Sequence, residues 1–324
     1  MALDNDHQPP ELGRTAFVLA LFVTVLIGCP SNRTADPTLH GSPMPLPPPM
    51  TDPAPPALAT FTKLRGPESV LYDPVQDVYF ISNINGAMQS VDGNGFISRV
   101  DAATLTIDAK WIEGGRNGVR LDGPKGMAIL GDALYVADIT VVRKFDRRSG
   151  ARLGEIPIDG ASFLNDIATD GTRLYVSDTG ILSGPGNTFL GSGSDAIWTI
   201  EDDRAEKLAG GAELSHPNGL DWVDGALRVV TFRGNELYRL DGGRKKVMAR
   251  MPRGQLDGVI HLADGTALVS SWMGNEIYRV PRRGEAAAIL AGIAAPADLG
   301  YDTKRRHLLV PRPTENQVTV HAVQ

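Results

Sequence analysis

The segment LNDIATDGTRLYVSDT, at residues 164–179, contains two short β-rich runs separated by an Asp-Gly turn. Apolar and polar residues alternate along these runs, which is typical of strands that bury one face. A third run of the same kind, AIWTIE, follows at residues 196–201. The segment therefore predicts consecutive antiparallel strands joined by turns.

The same unit occurs six times in the chain. Its first strands begin at Glu68, Lys125, Asn165, Asn218, Asp257 and Ala297, at intervals of 57, 40, 53, 39 and 40 residues. The two long intervals carry loop insertions, at residues 86–95 and 180–194. A weaker fourth strand follows the third in the first five units. Repeats of about 40–45 residues with four strands each are typical of propeller blades, so we predict an all-β, six-bladed β-propeller.

The two ends of the repeat region predict how the ring closes. The sixth unit stops at its third strand, QVTVHAVQ, at residues 317–324, and an unpaired strand, TFTKL, precedes the first unit at residues 60–64. We expect this N-terminal strand to complete blade six, because closure removes exposed strand edges. A β-sandwich is the structural alternative, but it does not explain a regular six-fold pattern.

The residues before the repeats differ in composition. Residues 15–28, TAFVLALFVTVLIG, are uncharged and mostly apolar. The run is shorter than the roughly 20 residues of a membrane-spanning helix and is typical of a signal-peptide core. Ten of the 23 prolines lie between Pro30 and Pro56, a composition that favours an extended tether. We predict a signal peptide at 1–28, a tether at 29–58 and the propeller at 59–324.

The signal segment ends in Leu-Ile-Gly-Cys, at residues 26–29, which resembles the lipobox of bacterial lipoproteins. This resemblance implies that Cys29, the only cysteine, is lipidated and anchors the protein to a membrane at the bacterial cell envelope. Ser31, rather than Asp, two residues later implies the periplasmic face of the outer membrane. A plain secretory signal or a short membrane anchor is the alternative, and the acidic start of the chain departs from the usual basic one.

Composition excludes several classes of function. The net charge is −6 and no basic stripe is present, so nucleic acid is not expected as a partner. A single cysteine excludes an intramolecular disulfide framework and any Cys-x-x-Cys metal or redox motif. An apolar content of 42% excludes wholesale disorder.

The first residue of each unit predicts a ring around the channel axis. In a propeller the inner strands begin near one mouth of the channel, and five of the six first residues are polar. Buried carboxylates and amides at close quarters require compensation. An all-oxygen set formed by Glu68, Asn165, Asn218 and Asp257 suits Ca²⁺. Any one of these residues alone also suits a turn, but four at one register favour metal ligation.

Four motifs carry a resemblance to a known family: GPES at 66–69, LNDIATDG at 164–171, HPNGLDW at 216–222 and LDGVIHLADG at 256–265. They resemble those of the gluconolactonase, senescence-marker-protein (regucalcin) and luciferin-regenerating-enzyme family, and more distantly the paraoxonases. The resemblance covers the chain from about residue 59 onward. It implies a six-bladed propeller with a divalent metal, often Ca²⁺, and hydrolysis of lactones. By motif, Glu68, Asn218 and Asp257 match metal ligands, Asn165 matches a residue that contacts metal or substrate, and Asp257 also matches a general base.

The sequence departs from this family at two positions. Phe163 stands where sugar-lactone members often carry an arginine, which suggests a more apolar substrate. Lys125 in the ring is unusual: it binds an anionic substrate, pairs with Glu68 or Asp257, points to solvent, or displaces the metal.

His216 is a candidate proton carrier or a loop residue. The expected substrate-binding residues are therefore Asn165, Lys125, Phe163 and His216.

These observations predict a Ca²⁺-dependent hydrolase of lactones or related cyclic esters, with Asp257 as its catalytic residue. Zn²⁺, Mg²⁺ and Mn²⁺ are alternative metals. The alternative function is a non-catalytic, lipid-anchored propeller that binds a small ligand or a protein partner. Two secondary expectations concern neighbouring residues: residues 184–195 cover a channel mouth, and Asp166 helps to hold a second ion.

Overall fold

The computed structural model describes residues 56–184 and 188–323. Within them, six four-stranded antiparallel sheets form the blades of a six-bladed β-propeller, which confirms the predicted fold class. No helix in this part of the chain is long and apolar enough to cross a membrane. The segment predicted to be a signal peptide, Cys29 and nearly all of the tether lie outside the described residues.

Each of the first three blades is built from strands in chain order, counted outward from the channel. Blade one contains β2 (Pro67–Asp73), β3 (Val78–Asn83), β4 (Phe96–Asp101) and β5 (Ile107–Glu113). Blade two contains β6 (Pro124–Leu130), β7 (Ala133–Asp138), β8 (Val141–Asp146) and β9 (Arg152–Pro157). Blade three contains β10 (Leu164–Thr169), β11 (Leu174–Asp178), β14 (Ala196–Glu201) and β15 (Arg204–Gly210).

The remaining three blades follow the same plan. Blade four contains β16 (Pro217–Val223), β17 (Ala226–Thr231), β18 (Glu236–Asp241) and β19 (Arg244–Arg250). Blade five contains β20 (Leu256–His261), β21 (Ala267–Ser271), β22 (Glu276–Val280) and β23 (Ala287–Ala291). Blade six contains β24 (Gly300–Asp302), β25 (His307–Arg312), β26 (Gln317–Ala322) and β1 (Ala59–Phe61).

The insertion within blade three forms a small hairpin of its own. Its strands are β12 (Ile181–Ser183) and β13 (Phe189–Gly191), which pair antiparallel in a separate two-stranded sheet. Two short 3₁₀ turns, Ala212–Leu214 and Pro313–Glu315, complete the regular structure of the described residues.

The N-terminal strand closes the ring as predicted. β1 pairs antiparallel with β26, with Thr60 opposite Thr319. The strand is shorter than expected because Leu64 leaves the sheet and packs, with Phe61, into the apolar core between blades one and six. A buried hydrogen bond of 2.6 Å from the Tyr79 hydroxyl to Asp302 Oδ2 also joins these two blades. The first and last blades are thus fixed by pairing, packing and polar contacts.

Apolar layers between neighbouring blades form the core. Alternate residues of each strand face the next blade on one side and the previous blade on the other, so both faces of a blade are buried. The layer between blades three and four, for example, contains Tyr175, Val229 and Tyr238. This packing fixes the inner strands around the channel and so determines where their first residues lie.

Candidate active site

The inner strands of blades one to five share a β-bulge at the same place. In β2, pairing with β3 is regular at Pro67 and resumes at Val70, so Glu68 and Ser69 together oppose the single residue Ser82. The same irregularity follows the first residue of β6, β10, β16 and β20. Bulges change the direction in which side chains point and are common beside active sites. Here the first residue of each bulge lines one chamber of the channel.

The first bulge residues meet around one small chamber. They are Glu68, Lys125, Asn165, Asn218 and Asp257, here called the chamber ring. All five are buried, with 1% to 6% of their surface exposed. The sixth position of this register, Ala297, is buried but does not line the chamber. The structure therefore brings together all five polar residues that the sequence placed on one ring.

Three oxygen atoms of the chamber ring are buried without a hydrogen-bond donor. They are Glu68 Oε2, Asn165 Oδ1 and Asn218 Oδ1. The amide nitrogen of Asn218 donates to Leu256 O at 3.1 Å and to Asp257 Oδ1 at 3.2 Å, which accounts for the amide's donors and leaves its oxygen unpaired. A buried polar atom without a partner costs about 1–3 kcal/mol. Three such acceptors in one chamber require hydrogen-bond donors or a cation to offset their burial.

Burial and like charges dominate the electrostatics of the chamber. Burial raises the pKa of Glu68 well above its usual range, and Asp257 and Asp298 raise it further. Burial and the nearby Asp298 raise the pKa of Asp257 to about 8. Counting Asp166 as well, the channel buries four carboxyl groups and one ammonium group, which would carry a formal charge of −3 if all were ionised. A bound cation would offset this charge.

Lys125 points into the chamber and not to solvent, because only 1% of its surface is exposed. Its Nζ donates to Gly123 O at 2.9 Å and lies 4.3 Å from the centre of the Phe163 ring. Burial lowers the pKa of Lys125, whereas Glu68 and Asp138 act in the opposite direction. Lys125 and Phe163 thus form a cation–π pair in the chamber wall.

The rest of the chamber wall is apolar. An aromatic group formed by Phe189, Phe232 and Trp272 packs edge to face, with ring centres 5.4 Å apart for the first two and 5.6 Å apart for the last two. Phe163, Ile181 and Met88 join this cluster. Both insertions contribute, because Met88 belongs to residues 86–95 and Phe189 to the β12–β13 hairpin. The enclosed volume is only about 20 Å³, room for about one water molecule.

His216 does not belong to the described chamber wall. Its Nδ1 lies 2.7 Å from Thr179 O and 3.2 Å from Asp195 Oδ2, so the ring is held behind the wall. Its backbone carbonyl accepts a hydrogen bond of 2.8 Å from Phe232 N. The geometry matches the loop-residue alternative, in which His216 supports Phe232.

A second ring, called here the lower ring, was largely missed by the sequence analysis. It consists of the residues that follow the first register: Ser69, Gly126, Asp166, Gly219, Gly258 and Asp298. Asp166 accepts hydrogen bonds from Ile167 N at 2.7 Å and Leu220 N at 2.6 Å, and Asp298 accepts one from the Ser69 hydroxyl at 2.5 Å. Asp298 was not predicted because Ala297 interrupts the polar ring just before it. The restriction of this next register to Gly, Ser and Asp in all six units was the available signal.

The glycines of the lower ring leave room for its carboxylates. A Cβ atom at Gly126 would lie 2.3 Å from Asp166 Oδ1, and one at Gly258 would lie 2.8 Å from Asp298 Oδ1. Ser69, Asp166 and Asp298 border a cavity of about 460 Å³ at the opposite mouth of the channel. The two rings therefore face opposite ends of the channel.

The donor set of the chamber ring fits a hard cation. Among the described residues, no three His, Cys, Asp or Glu side chains come together in a way that could hold a metal ion. The ring instead combines two carboxylates with two amides, three of which have an oxygen without a partner. Such an all-oxygen set suits Ca²⁺, which accepts carbonyl ligands and water beside carboxylates.

Comparison with solved structures shows the same fold. The chain is similar to a luciferin-regenerating enzyme, with 10% identity and a TM-score of 0.58 over 81% of this chain and 95% of that one. It is similar to a gluconolactonase from Xanthomonas campestris, with 16% identity and a TM-score of 0.60 over 86% and 99%. An inactive virginiamycin B lyase variant from Staphylococcus aureus, solved with quinupristin, has 14% identity and a TM-score of 0.57 over 82% and 99%. Neither a protein-family model nor a curated protein sequence matches the chain. The proteins of similar fold thus include a gluconolactonase and a luciferin-regenerating enzyme, two of the proteins that the motifs resemble.

Proposed function

We propose that the protein is a metal-dependent hydrolase of lactones or related cyclic esters. The observation that carries this proposal is the set of three unpaired, buried oxygens from Glu68, Asn165 and Asn218, which face the same chamber as Asp257. The gluconolactonase among the proteins of similar fold supports the lactone as substrate class.

Glu68, Asn165, Asn218 and Asp257 would hold the metal, and Ca²⁺ is the ion that we propose. All four offer oxygen, and hard divalent cations prefer oxygen ligands. A divalent cation would change the formal charge of the buried groups from −3 to −1, which lowers the cost of keeping the carboxylates ionised. Zn²⁺ favours His and Cys ligands, and this ring contains neither.

A bound divalent cation would polarise the ester carbonyl and stabilise the negative charge that develops on its oxygen. Asp257 would accept the proton of the attacking water. The water oxygen would bond to the acyl carbon, the bond from that carbon to the ring oxygen would break, and the ring oxygen would take up the proton that Asp257 had accepted. Lys125 places a positive charge beside the departing oxygen and the new carboxylate. The apolar wall of Phe163, Phe232 and Trp272 limits water in the chamber.

The proposed anchor at the cell envelope rests on the sequence alone. Lipidation of Cys29 would tether the propeller through the Pro-rich segment, and several acyl chains give stable membrane attachment. Metabolic labelling with a fatty-acid analogue tests this. Label on the wild-type chain and its loss in Cys29→Ala is the expected result, whereas an unlabelled, soluble wild type would contradict it.

Metal analysis and a lactone panel test the catalytic proposal. Purified full-length protein is expected to contain one equivalent of Ca²⁺, and chelation is expected to abolish hydrolysis that added Ca²⁺ restores. Asp132→Asn, a change at an exposed carboxylate, is the matched control and is expected to behave as wild type. Protein with no bound metal and no turnover of sugar, aliphatic or aromatic lactones would favour the alternative, a non-catalytic binding propeller.

A further inference from the structure

Two cavities lie on the same side of the chamber ring and share a wall. The inner one is the chamber of about 20 Å³. The outer one, called here the vestibule, measures about 570 Å³. Residues that line both are Ile84, Met88, Phe189, Trp272 and Pro313. All five are apolar and border both cavities, so the same side chains separate a molecule held at the ring from the vestibule.

The vestibule has the character of an apolar binding surface. None of the described residues that line it is charged, and its polar side chains are confined to Ser183, Thr188 and Thr314. Glycine, alanine and proline supply much of the remaining lining, and Met88, Phe189 and Trp272 are the large side chains that it shares with the chamber. A polyhydroxylated ligand would find few side-chain partners for its hydroxyl groups there, which gives it no advantage over an apolar one. An aliphatic or aromatic group would lose no hydrogen bonds on entering.

The small size of the chamber indicates how the two cavities are used together. A lactone ring does not fit a space for about one water molecule, so a bound substrate has to displace part of the shared wall. Met88 is the side chain best able to move, because methionine is unbranched and only partly enclosed here. Displacement of Met88 would join the chamber to the vestibule and give one continuous pocket, polar at the ring and apolar outside it.

We infer that the substrates are lactones that carry an uncharged aliphatic or aromatic substituent. The lactone carbonyl lies at the chamber ring, and the substituent passes the shared wall and occupies the vestibule. This inference rests on the proposed function and adds the substrate class to it. Phe163 agrees with it, because its apolar ring lines the chamber beside the Lys125 ammonium, with its centre 4.3 Å from Nζ, and offers no hydrogen bond to a sugar hydroxyl.

A comparison of three lactones tests the inference on the full-length, Ca²⁺-loaded protein. The kcat/KM for γ-nonalactone is expected to exceed that for unsubstituted γ-butyrolactone and that for glucono-δ-lactone, each by at least about tenfold. Hydrolysis in which glucono-δ-lactone equals or exceeds γ-nonalactone would overturn the substrate class and leave the proposed function intact. No hydrolysis of any of the three would overturn the proposed function, and the inference with it.

A charge placed in the vestibule locates the substituent. Ala87 is an exposed residue of the vestibule wall, so Ala87→Asp is expected to fold, as a thermal melt would verify. The ratio of kcat/KM for γ-nonalactone to that for γ-butyrolactone is expected to fall about tenfold. Ala287→Asp, on the exposed outer strand β23, is the matched control and is expected to keep the wild-type ratio. An unchanged ratio in Ala87→Asp would show that the substituent lies elsewhere and would overturn the inference.

Binding of the products gives a readout that does not depend on turnover. Calorimetric titration of the same protein with 4-hydroxynonanoate and with 4-hydroxybutanoate compares one headgroup with and without an alkyl chain. The longer product is expected to bind at least about tenfold more tightly, and Ala87→Asp is expected to reduce that advantage. Equal affinities would contradict a vestibule that receives the chain.

Discussion

The chamber ring and the lower ring are only one residue apart along each inner strand. Their polar atoms nevertheless differ in whether they have hydrogen-bond partners. In the lower ring, Asp166 accepts two backbone amides and Asp298 accepts the Ser69 hydroxyl. In the chamber ring, Glu68, Asn165 and Asn218 each keep an oxygen without a partner. Both rings are buried, so exposure to water does not explain the difference. The lower ring is satisfied by the fold itself, whereas the chamber ring requires something that the chain does not supply.

The β-bulge explains how neighbouring residues acquire such different environments. In three blades a serine opposite the bulge satisfies its second residue: Ser82 accepts from Ser69 N at 2.9 Å, Ser177 from Asp166 N at 2.9 Å and Ser270 from Gly258 N at 2.7 Å. The backbone of the lower ring is thus anchored to the second strand. The first residue of each bulge is left to face the channel, which is an arrangement common to binding and catalytic sites.

The largest expected effect comes from matched substitutions in the two rings. Glu68→Gln removes the charge of a carboxylate with an unpaired oxygen, and we expect loss of stoichiometric Ca²⁺ and a fall in kcat/KM of about 10³-fold. Asp298→Asn removes the charge of a carboxylate whose Oδ2 already accepts a hydrogen bond from the Ser69 hydroxyl. We therefore expect the Ca²⁺ content to stay near one equivalent. Metal analysis and lactone kinetics of both variants test whether the chamber ring alone binds the metal. Equal loss of Ca²⁺ in the two variants would contradict this difference between the rings.

A second comparison replaces a glycine of the lower ring and a glycine in open space by alanine and measures the free energy of unfolding. Gly126→Ala would place a Cβ atom 2.3 Å from Asp166 Oδ1 and 2.5 Å from the Asp166 Cα, so we expect a loss of about 1–3 kcal/mol in the free energy of unfolding. Gly154→Ala is the control, because a Cβ there meets nothing within 4 Å. Replacing a strand glycine by alanine in open space is expected to be neutral or to stabilise by about 0.5 kcal/mol. Urea unfolding measures both, and a neutral Gly126→Ala would contradict the close packing of the lower ring.

The fold was predictable from sequence because its signals are local and repeated. Strand alternation, turn residues and the spacing of six units each reveal the blades, and the orphan strand reveals the closure. The chamber ring was predictable for the same reason, since one register in five units places Glu68, Lys125, Asn165, Asn218 and Asp257 around one axis. Only the register had to be right for these side chains to meet.

The remaining parts of the site were not predictable because they depend on long-range placement. The bulge is a two-against-one mismatch between strands, and neither strand alone reveals it. Asp298 follows an apolar residue, and its burial beside Ser69 arises only when blades one and six meet. Met88 and Phe189 come from insertions whose path over the chamber has no periodic signal. His216 illustrates the same limit, since the side chain of Asn218, two residues later, lies in the chamber ring whereas the His216 imidazole lies behind the wall.

The raised pKa values of the buried carboxyl groups predict how stability depends on pH without metal. Burial raises the pKa of Asp298 to about 7, and burial with Asp298 raises that of Asp257 to about 8, whereas an unfolded Asp titrates near about 3.9. Between these values the folded state binds more protons, so raising the pH from about 4 to about 8 destabilises the metal-free protein. The slope is up to about 1.4 kcal/mol per pH unit for each group.

Thermal melts in chelator at several pH values between 5 and 8 check this dependence. Asp298→Asn is expected to melt with a shallower pH dependence than wild type, because one titrating group is lost. Added Ca²⁺ is expected to raise Tm most at the alkaline end, where the carboxylates are ionised. A Tm that rises with pH in chelator would contradict the assigned direction of these pKa shifts.

The smallest expected effect concerns Lys125, the positively charged side chain of the chamber ring. The Lys125 ammonium lies in the same chamber as the four proposed ligands and is itself held by Gly123 O and the Phe163 ring. Since like charges repel, Lys125→Met is expected to strengthen Ca²⁺ binding by about tenfold, or about 1.4 kcal/mol, and the apolar wall suits the methionine. Calorimetric titration with Ca²⁺ measures this. Lys125→Arg, which keeps the charge, is the control, and tighter binding in both variants would show that the lysine's shape, and not its charge, sets the affinity. Weaker Ca²⁺ binding in Lys125→Met would contradict the repulsion argument. It would show instead that the ammonium group supports the metal site through its contact with Phe163.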